Sequence, residues 1–161
     1  MKLDVGCGTF LEATGDVNVD LFTEKTLHRP SDSTIDVHKI RNFVLAESAH
    51  LPFADNTFEE VYASHIIEHV DNPTAHLMEW LRVSNHKLTI KTPFRNGKLN
   101  FISWILHGPP PKHIHKWNFN KKWFIRFVQK YGLGIRGLYT KHFLLVLPTE
   151  ITIEIIKPES D

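Results

Sequence analysis

A single cysteine, Cys7, stands among 161 residues. It has no partner for an internal disulfide and no companion for a cysteine-based metal site, so a reducing, cytoplasmic setting is the natural expectation. No apolar run approaches the roughly 18 residues of a membrane-spanning helix, so no membrane span is expected, and no charged-then-apolar leader points to export. Acid is missing over a long stretch. Between Glu79 and Glu150 there is none, while 13 Lys and Arg residues stand there; up to Glu79, 14 acids face 5 bases. The net charge of +1 conceals this segregation. A positive face built this way attracts an anionic partner, and the alternative is a set of solvated lysines on helix and loop surfaces. With 42% hydrophobic and 23% charged residues the composition is that of a globular chain, long enough for one domain with a buried core.

Strands alternating with helices are what the chain does contain. Lys2 to Val5 has strand character and runs into Gly6–Gly8; Val17 to Val19 is a second short strand ending at Asp20. Thr23 to Asn42 is polar and irregular, with a helix conceivable in its second half. Phe43 to Ala46 forms a third strand ending at Glu47, and Glu60 to Ala63 opens a fourth. Leu77, Trp80 and Leu81 share a face of a helix over Pro73 to Arg82, which Asn72 before Pro73 caps. Lys87 to Lys91 reads as a fifth strand stopped by Pro93. A long connection rich in Gly and Pro follows, from Arg95 to Asn118, and then an amphipathic helix from Asn120 to Tyr131 closing at Gly132. Two strand runs without an intervening helix complete the chain, within Gly134 to Leu147 and from Ile151 to Lys157. This alternation predicts an α/β domain with a mainly parallel sheet and an antiparallel finish.

The segment LDVGCGTF, Leu3 to Phe10, carries the first chemical signal. A buried strand followed by closely spaced glycines lets the backbone approach a ligand, whose polar end helix-facing amides can receive. Alone, it is also the pattern of a plain tight turn. Asp20 ends the second strand, where a carboxylate can accept both hydroxyls of a ribose. Leu11 occupies the place of the third glycine of G-x-G-x-x-G, which argues against NAD. Glu47 ends the third strand, placed to accept from an adenine amino group while the next amide faces a ring nitrogen. HIIEH, His65 to His69, has the form of the H-x-x-E-H zinc signature, with two histidines four apart.

Taken in order, LDVGCGTF, NVDL, ESAHLPFADNTFEEVYASHIIEHV and EWLRVSNHKLTIKTP resemble the class I S-adenosylmethionine-dependent methyltransferases, in particular the type-11 methyltransferase domain, over residues 2–94. HIHKWNFNKKWFIRFVQKYGL is similar to the family's later segment, in which a histidine and an aromatic precede a helix ending in glycine. The resemblance implies a Rossmann-like, doubly wound, mostly parallel sheet of seven strands with the last antiparallel. It would form one minimal domain over residues 1–161, with residues 95–118 as a lid or substrate loop. The implied cofactor is S-adenosyl-L-methionine. Gly6, Cys7 and Gly8 would lie against its methionine end, with Asp4 shaping the loop. Asp20 would meet the ribose, Glu47 with Ser48 the adenine, and Ser64 and His65 would lie beside the sulfonium, with Leu21 and Ala49 also among the cofactor-binding residues. The same pattern accounts for HIIEH, so no metal is expected, and His113 and His115 read as polar loop residues. Two departures stand out: Phe10 replaces the third glycine of D-x-G-x-G-x-G, and the 11 residues between Gly8 and Asp20 leave room for only a very short first helix. Glu47 also stands where aspartate is commoner.

Methyl transfer needs a base only where the acceptor must lose a proton, and His65, His69 and His115 are the candidates. No D/N-P-P-Y/F/W follows the fourth strand, and no Pro-Cys pair exists for cytosine C5 chemistry. A small-molecule acceptor is therefore the first expectation, nucleic acid or another anionic acceptor the second, and a non-catalytic cofactor-binding homologue the third. The chain begins almost on its first strand, which suggests an open pocket, a homodimer partner or the 95–118 loop as cover for the cofactor. Trp123, Phe124 and Phe127 are expected in the core; Trp104 and Trp117 suit a lid or an interface.

Overall fold

The computed structural model describes residues 1–9, 13–23, 36–94, 115–143 and 147–158. Seven strands form one sheet: β1 (Lys2–Val5), β2 (Val17–Asp20), β3 (Phe43–Leu45), β4 (Phe58–Ser64), β5 (Ser84–Pro93), β6 (Gly134–Phe143) and β7 (Leu147–Ile156). Their order is β3-β2-β1-β4-β5-β7-β6. β1 to β5 pair in parallel, and β7 runs antiparallel between β5 and β6. This is the doubly wound, mostly parallel sheet with an antiparallel last strand that the sequence leads one to expect.

The two faces of the sheet differ because strand side chains alternate. Leu3, Val61, Leu88 and Ile155 share one register row, and Val5, Ala63, Ile90 and Ile153 the next. All eight are fully buried. Both described α-helices, α1 (Pro73–Val83) and α2 (Lys121–Lys130), contribute to this same core. Trp80 is fully buried there, with its indole N–H donating to the Ser48 carbonyl at 2.9 Å; truncating such a residue costs about 3–5 kcal/mol. The opposite face carries Lys2, Asp4, Asn18, Glu60, Tyr62 and Thr89. Lys2 Nζ lies 4.3 Å from the Tyr62 ring centroid, and Glu60 pairs with Lys87 at 3.3 Å.

Local signals explain the helix ends. Asn72 Oδ1 accepts from the Ala75 amide at 3.2 Å with Pro73 in the first turn, and Asn120 caps α2 by accepting from the Trp123 amide at 3.0 Å. Gly132, at φ 63°, takes the left-handed position that closes α2. Phe124 and Phe127 are buried and Trp123 packs against them, as expected of a core face. The expected helix before Asn42 is, within the described residues, only a 3-10 turn at Val37–Lys39. β5 begins directly at Ser84, three residues earlier than the sequence suggests, because α1 passes into it without a loop. Of the 95–118 loop, residues 95–114 lie outside the described residues, and with them Trp104 and His113; Phe10 and Leu11 do as well. Among the described residues no helix is long and apolar enough to cross a membrane.

Candidate active site

The sheet order sets four strand ends side by side: Leu45 of β3, Asp20 of β2, Val5 of β1 and Ser64 of β4. At about 4.8 Å between neighbours, these carboxyl ends span roughly 14 Å. Every residue that the resemblance assigns to the cofactor stands in or just after one of these strands.

After β1 the chain turns through Gly6 and Gly8, at φ 68° and 66°. Only glycine takes this backbone region without penalty. A Cβ on Gly6 would also sit 2.9 Å from Ile66 Cδ1, so the turn is pressed against the segment following β4. The turn is tied to β2 by its own amides. Gly6 and Cys7 N–H donate to the Val19 carbonyl at 2.8 and 3.0 Å, and Gly8 N–H donates to Asp20 Oδ2 at 3.0 Å. These three amides are thus directed at β2, and what the turn offers a ligand is close approach of the backbone. Cys7 turns its side chain inward, into a small cluster with Ile40. Asp4, 2% exposed, anchors the far side of the loop by accepting from Thr14 N and Oγ1, both at 2.8 Å. Burial pushes its carboxyl above the ordinary value, against the opposing effect of those two bonds.

Asp20 Oδ1 accepts from the Phe22 amide at 3.1 Å, and Leu21 beside it is 47% exposed. Beyond β3, Glu47 is exposed and lies 3.4 Å from His50 Nδ1. Ser48 instead is buried: its hydroxyl meets His76 Nδ1 at 2.8 Å, and burial lowers the pKa of that imidazole. Its role is to pin the turn to α1, with Ala49 half-buried next to it.

At the end of β4, His65 adopts φ 55°, a left-handed conformation that is uncommon for a side-chain-bearing residue and recurs at functional sites. Its imidazole lies between two carboxylates. Nε2 is 2.9 Å from Glu150 Oε2 on β7, and Nδ1 is 3.4 Å from Glu68 Oε1. The facing Glu68 carboxylate raises the pKa of His65 above the ordinary histidine value, burial opposes this, and Glu150 adds to the rise. Burial pushes Glu68 up, but His65, the residue's own backbone amide and His69 together outweigh it and hold the carboxyl below its ordinary value. His69 and His115 meet edge to face, with ring centroids 4.9 Å apart. All three histidines named from the sequence therefore converge on Glu68. Glu68 was visible in HIIEH without a role of its own. Glu150 gave no sequence signal, because only the sheet topology carries it 85 positions to His65.

The basic second half is less uniform than its composition. Lys116 pairs with Asp71 at 2.5 Å, while Lys122, Arg126 and Lys130 are exposed on α2. Trp117 is 41% exposed, and its indole N–H donates to the Val70 carbonyl at 2.8 Å. Lys112 lies outside the described residues. A separate hollow of about 310 Å³, lined by Met1, Lys2, Asp16, Glu60, Lys87 and Arg136 among others, lies at the amino ends of the strands, away from this site.

The profile of the family described as "Methyltransferase domain" matches residues 3–87. No curated protein matches the chain in sequence. Among solved structures, the magnesium protoporphyrin IX methyltransferase of Synechocystis PCC 6803 with bound SAH superposes with a TM-score of 0.68 at 11% identity, covering 98% of this chain and 74% of that one. A SAM-dependent methyltransferase of Thermotoga maritima gives 0.66 at 15% identity, covering 98% and 82%. The [4+2]-cyclase SpnF gives 0.67 at 13% identity, covering 99% and 74%. At such identities these likenesses speak for a shared fold.

Proposed function

The chain belongs to the methyltransferase-domain family of S-adenosylmethionine-dependent enzymes, and from this premise we propose that it methylates a small-molecule acceptor, with the cofactor laid across the carboxyl ends of β3, β2, β1 and β4. The observation that carries this reading is the alignment of four separate sequence signals on four strands adjacent in the sheet. Ligands of open α/β sheets bind at these ends.

The residues present fit the cofactor. The glycine turn permits close approach, and Asp20 is held beside it by the Gly8 and Phe22 amides, at the strand end where a carboxylate can meet ribose hydroxyls. Leu21 offers exposed apolar surface next to Asp20, and Glu47 an exposed carboxylate for the adenine amino group. When bound, the cofactor supplies a methyl group on a positive sulfonium, already open to in-line displacement. The chain's task is then chiefly alignment of the acceptor. Where the acceptor carries a proton that must leave, His65 takes it in its neutral form, and Glu68 and Glu150 stabilise the imidazolium that results. His69 and His115 stand behind it as further candidates.

Calorimetric titration with S-adenosylmethionine and S-adenosylhomocysteine, followed by a methyl-transfer screen against pooled acceptors, tests the proposal. Binding without turnover on any acceptor would favour a cofactor-binding protein that does not transfer methyl groups. The exposed Lys122, Arg126 and Lys130 favour a second reading, an anionic acceptor or nucleic acid. Titration of single-stranded RNA and duplex DNA from low to physiological salt separates the two, because each phosphate contact steepens the salt dependence.

A further inference from the structure

We propose that Glu68, His69 and His115 form a site for one divalent transition-metal ion of the zinc class. This goes beyond the methyl-transfer reading and does not depend on it, and an ion here would take His69 and His115 out of the set of candidate bases, leaving His65 with Glu150. One ligand atom from each of the three residues falls within 4.8 Å of the other two. Tetrahedral ligands about 2.0–2.2 Å from a common ion lie roughly 3.3–3.6 Å apart, so the side chains must close by about an ångström to grip it. Two imidazoles and a carboxylate form a donor set that zinc accepts.

The second observation is the state of Glu68. The residue is 1% exposed, and its Oε1 has no hydrogen-bond partner among the described residues. Around this oxygen stand His65 Nδ1 at 3.4 Å and His69 Nε2 at 3.9 Å. Neither approach satisfies it, since the first lacks hydrogen-bond alignment and the second is too long. With the neighbouring imidazoles neutral, a buried anionic oxygen aimed at them costs free energy unless another cation meets it. The remaining lone pairs are ordered: Oε2 accepts from the buried Thr92 hydroxyl at 3.1 Å, which fixes the carboxylate plane as an outer partner of a metal ligand does.

The third ligand is positioned by backbone bonds. The Glu68 carbonyl accepts from Lys116 N at 2.8 Å and from Trp117 N at 3.1 Å, which holds the segment carrying His115 against the turn after β4. In the sequence His115 lacks a third partner; the fold supplies Glu68 and His69. This proposal departs from the sequence-based expectation of no metal. His65, engaged with Glu150, remains outside the ligand set.

The test uses the full chain. Protein purified from zinc-supplemented cells is analysed for metals, stripped with a chelator, and titrated with Co²⁺, followed by its visible absorption, and with Zn²⁺ by calorimetry. We expect about one equivalent of metal per chain and a Co²⁺ spectrum that Zn²⁺ displaces. His115→Ala, in a half-buried connecting segment, should fold with an unchanged far-UV spectrum and lose Zn²⁺ affinity by about 100-fold. Glu68→Gln should do the same where it folds. Wild-type protein without metal and without a Co²⁺ spectrum overturns the proposal. Zn²⁺ binding that survives His115→Ala undiminished places the ion elsewhere and overturns it equally.

Discussion

Replacing Asp20 tests the cofactor arrangement at its centre. Its two carboxylate oxygens each accept one backbone amide, Gly8 at 3.0 Å and Phe22 at 3.1 Å. A carboxylate has about four acceptor positions, more than these two amides use, and a ribose hydroxyl is a donor suited to it. A hydrogen bond to a charged group contributes about 1.5–3 kcal/mol, which corresponds to roughly 10- to 150-fold in affinity. Asp20→Ala should therefore weaken binding of S-adenosylhomocysteine by at least about 10-fold in calorimetry. Asp20→Asn keeps one oxygen but loses the charge and should fall between. The mutation also frees the Gly8 amide, so part of the loss could come from a loosened turn. A ligand lacking the ribose hydroxyls separates the two effects, as in a double-mutant cycle. If the carboxylate meets the ribose, that ligand binds wild type and Asp20→Ala almost equally. Unchanged affinity of Asp20→Ala for S-adenosylhomocysteine, in protein with a normal urea transition, would refute the assignment.

Glu47→Ala should lower affinity for adenosine-containing ligands while Glu47→Asp retains most of it; equal binding of an analogue without the adenine amino group to wild type would remove this role. Gly6→Ala forces a side chain into φ 68° and brings a Cβ to 2.9 Å from Ile66 Cδ1. We expect a loss of about 1–2 kcal/mol in urea unfolding, partly recovered by Ile66→Ala, and no recovery would mean that contact is not the cause. Glu79 is held below the ordinary carboxylate value by the Arg82 guanidinium, against the effect of burial. Because its folded pKa is depressed, the pair's stabilisation is present above the ordinary glutamate range and is lost as pH falls through the depressed value. Glu79→Gln should flatten the acid side of a stability-versus-pH profile and leave its slope above neutrality alone, and a profile parallel to wild type would show the pair to be without effect.

Much of the sheet is legible in the sequence because its first three strands are short apolar runs followed by glycine, Asp20 and Glu47. The caps are legible for an equally local reason, since Asn72–Pro73 and Asn120 satisfy helix amides within three residues. Non-local relations are not. Nothing in the run ITIEIIK indicates that it inserts between β5 and β6, and nothing in Glu150 indicates His65. HIIEH is readable either as family pattern or as metal signature, because the decision rests on whether His115 arrives beside it, and only the folded backbone determines that. The glycine turn shows the same limit. Its spacing suggests a close backbone approach, but not that the Gly6, Cys7 and Gly8 amides are themselves bonded to Val19 and Asp20.

The placement of β7 also orders events during synthesis. It is the last of the seven strands to leave the ribosome, yet it lies inside the sheet, with Ile151, Ile153 and Ile155 fully buried. Until it emerges, β5 keeps an unpaired edge and β6 has no neighbour, which is the exposure that invites aggregation or chaperone capture. The same strand delivers Glu150 to His65. A nascent chain halted before residue 147 would thus lack both the keystone of the sheet and one of the two carboxylates that face His65.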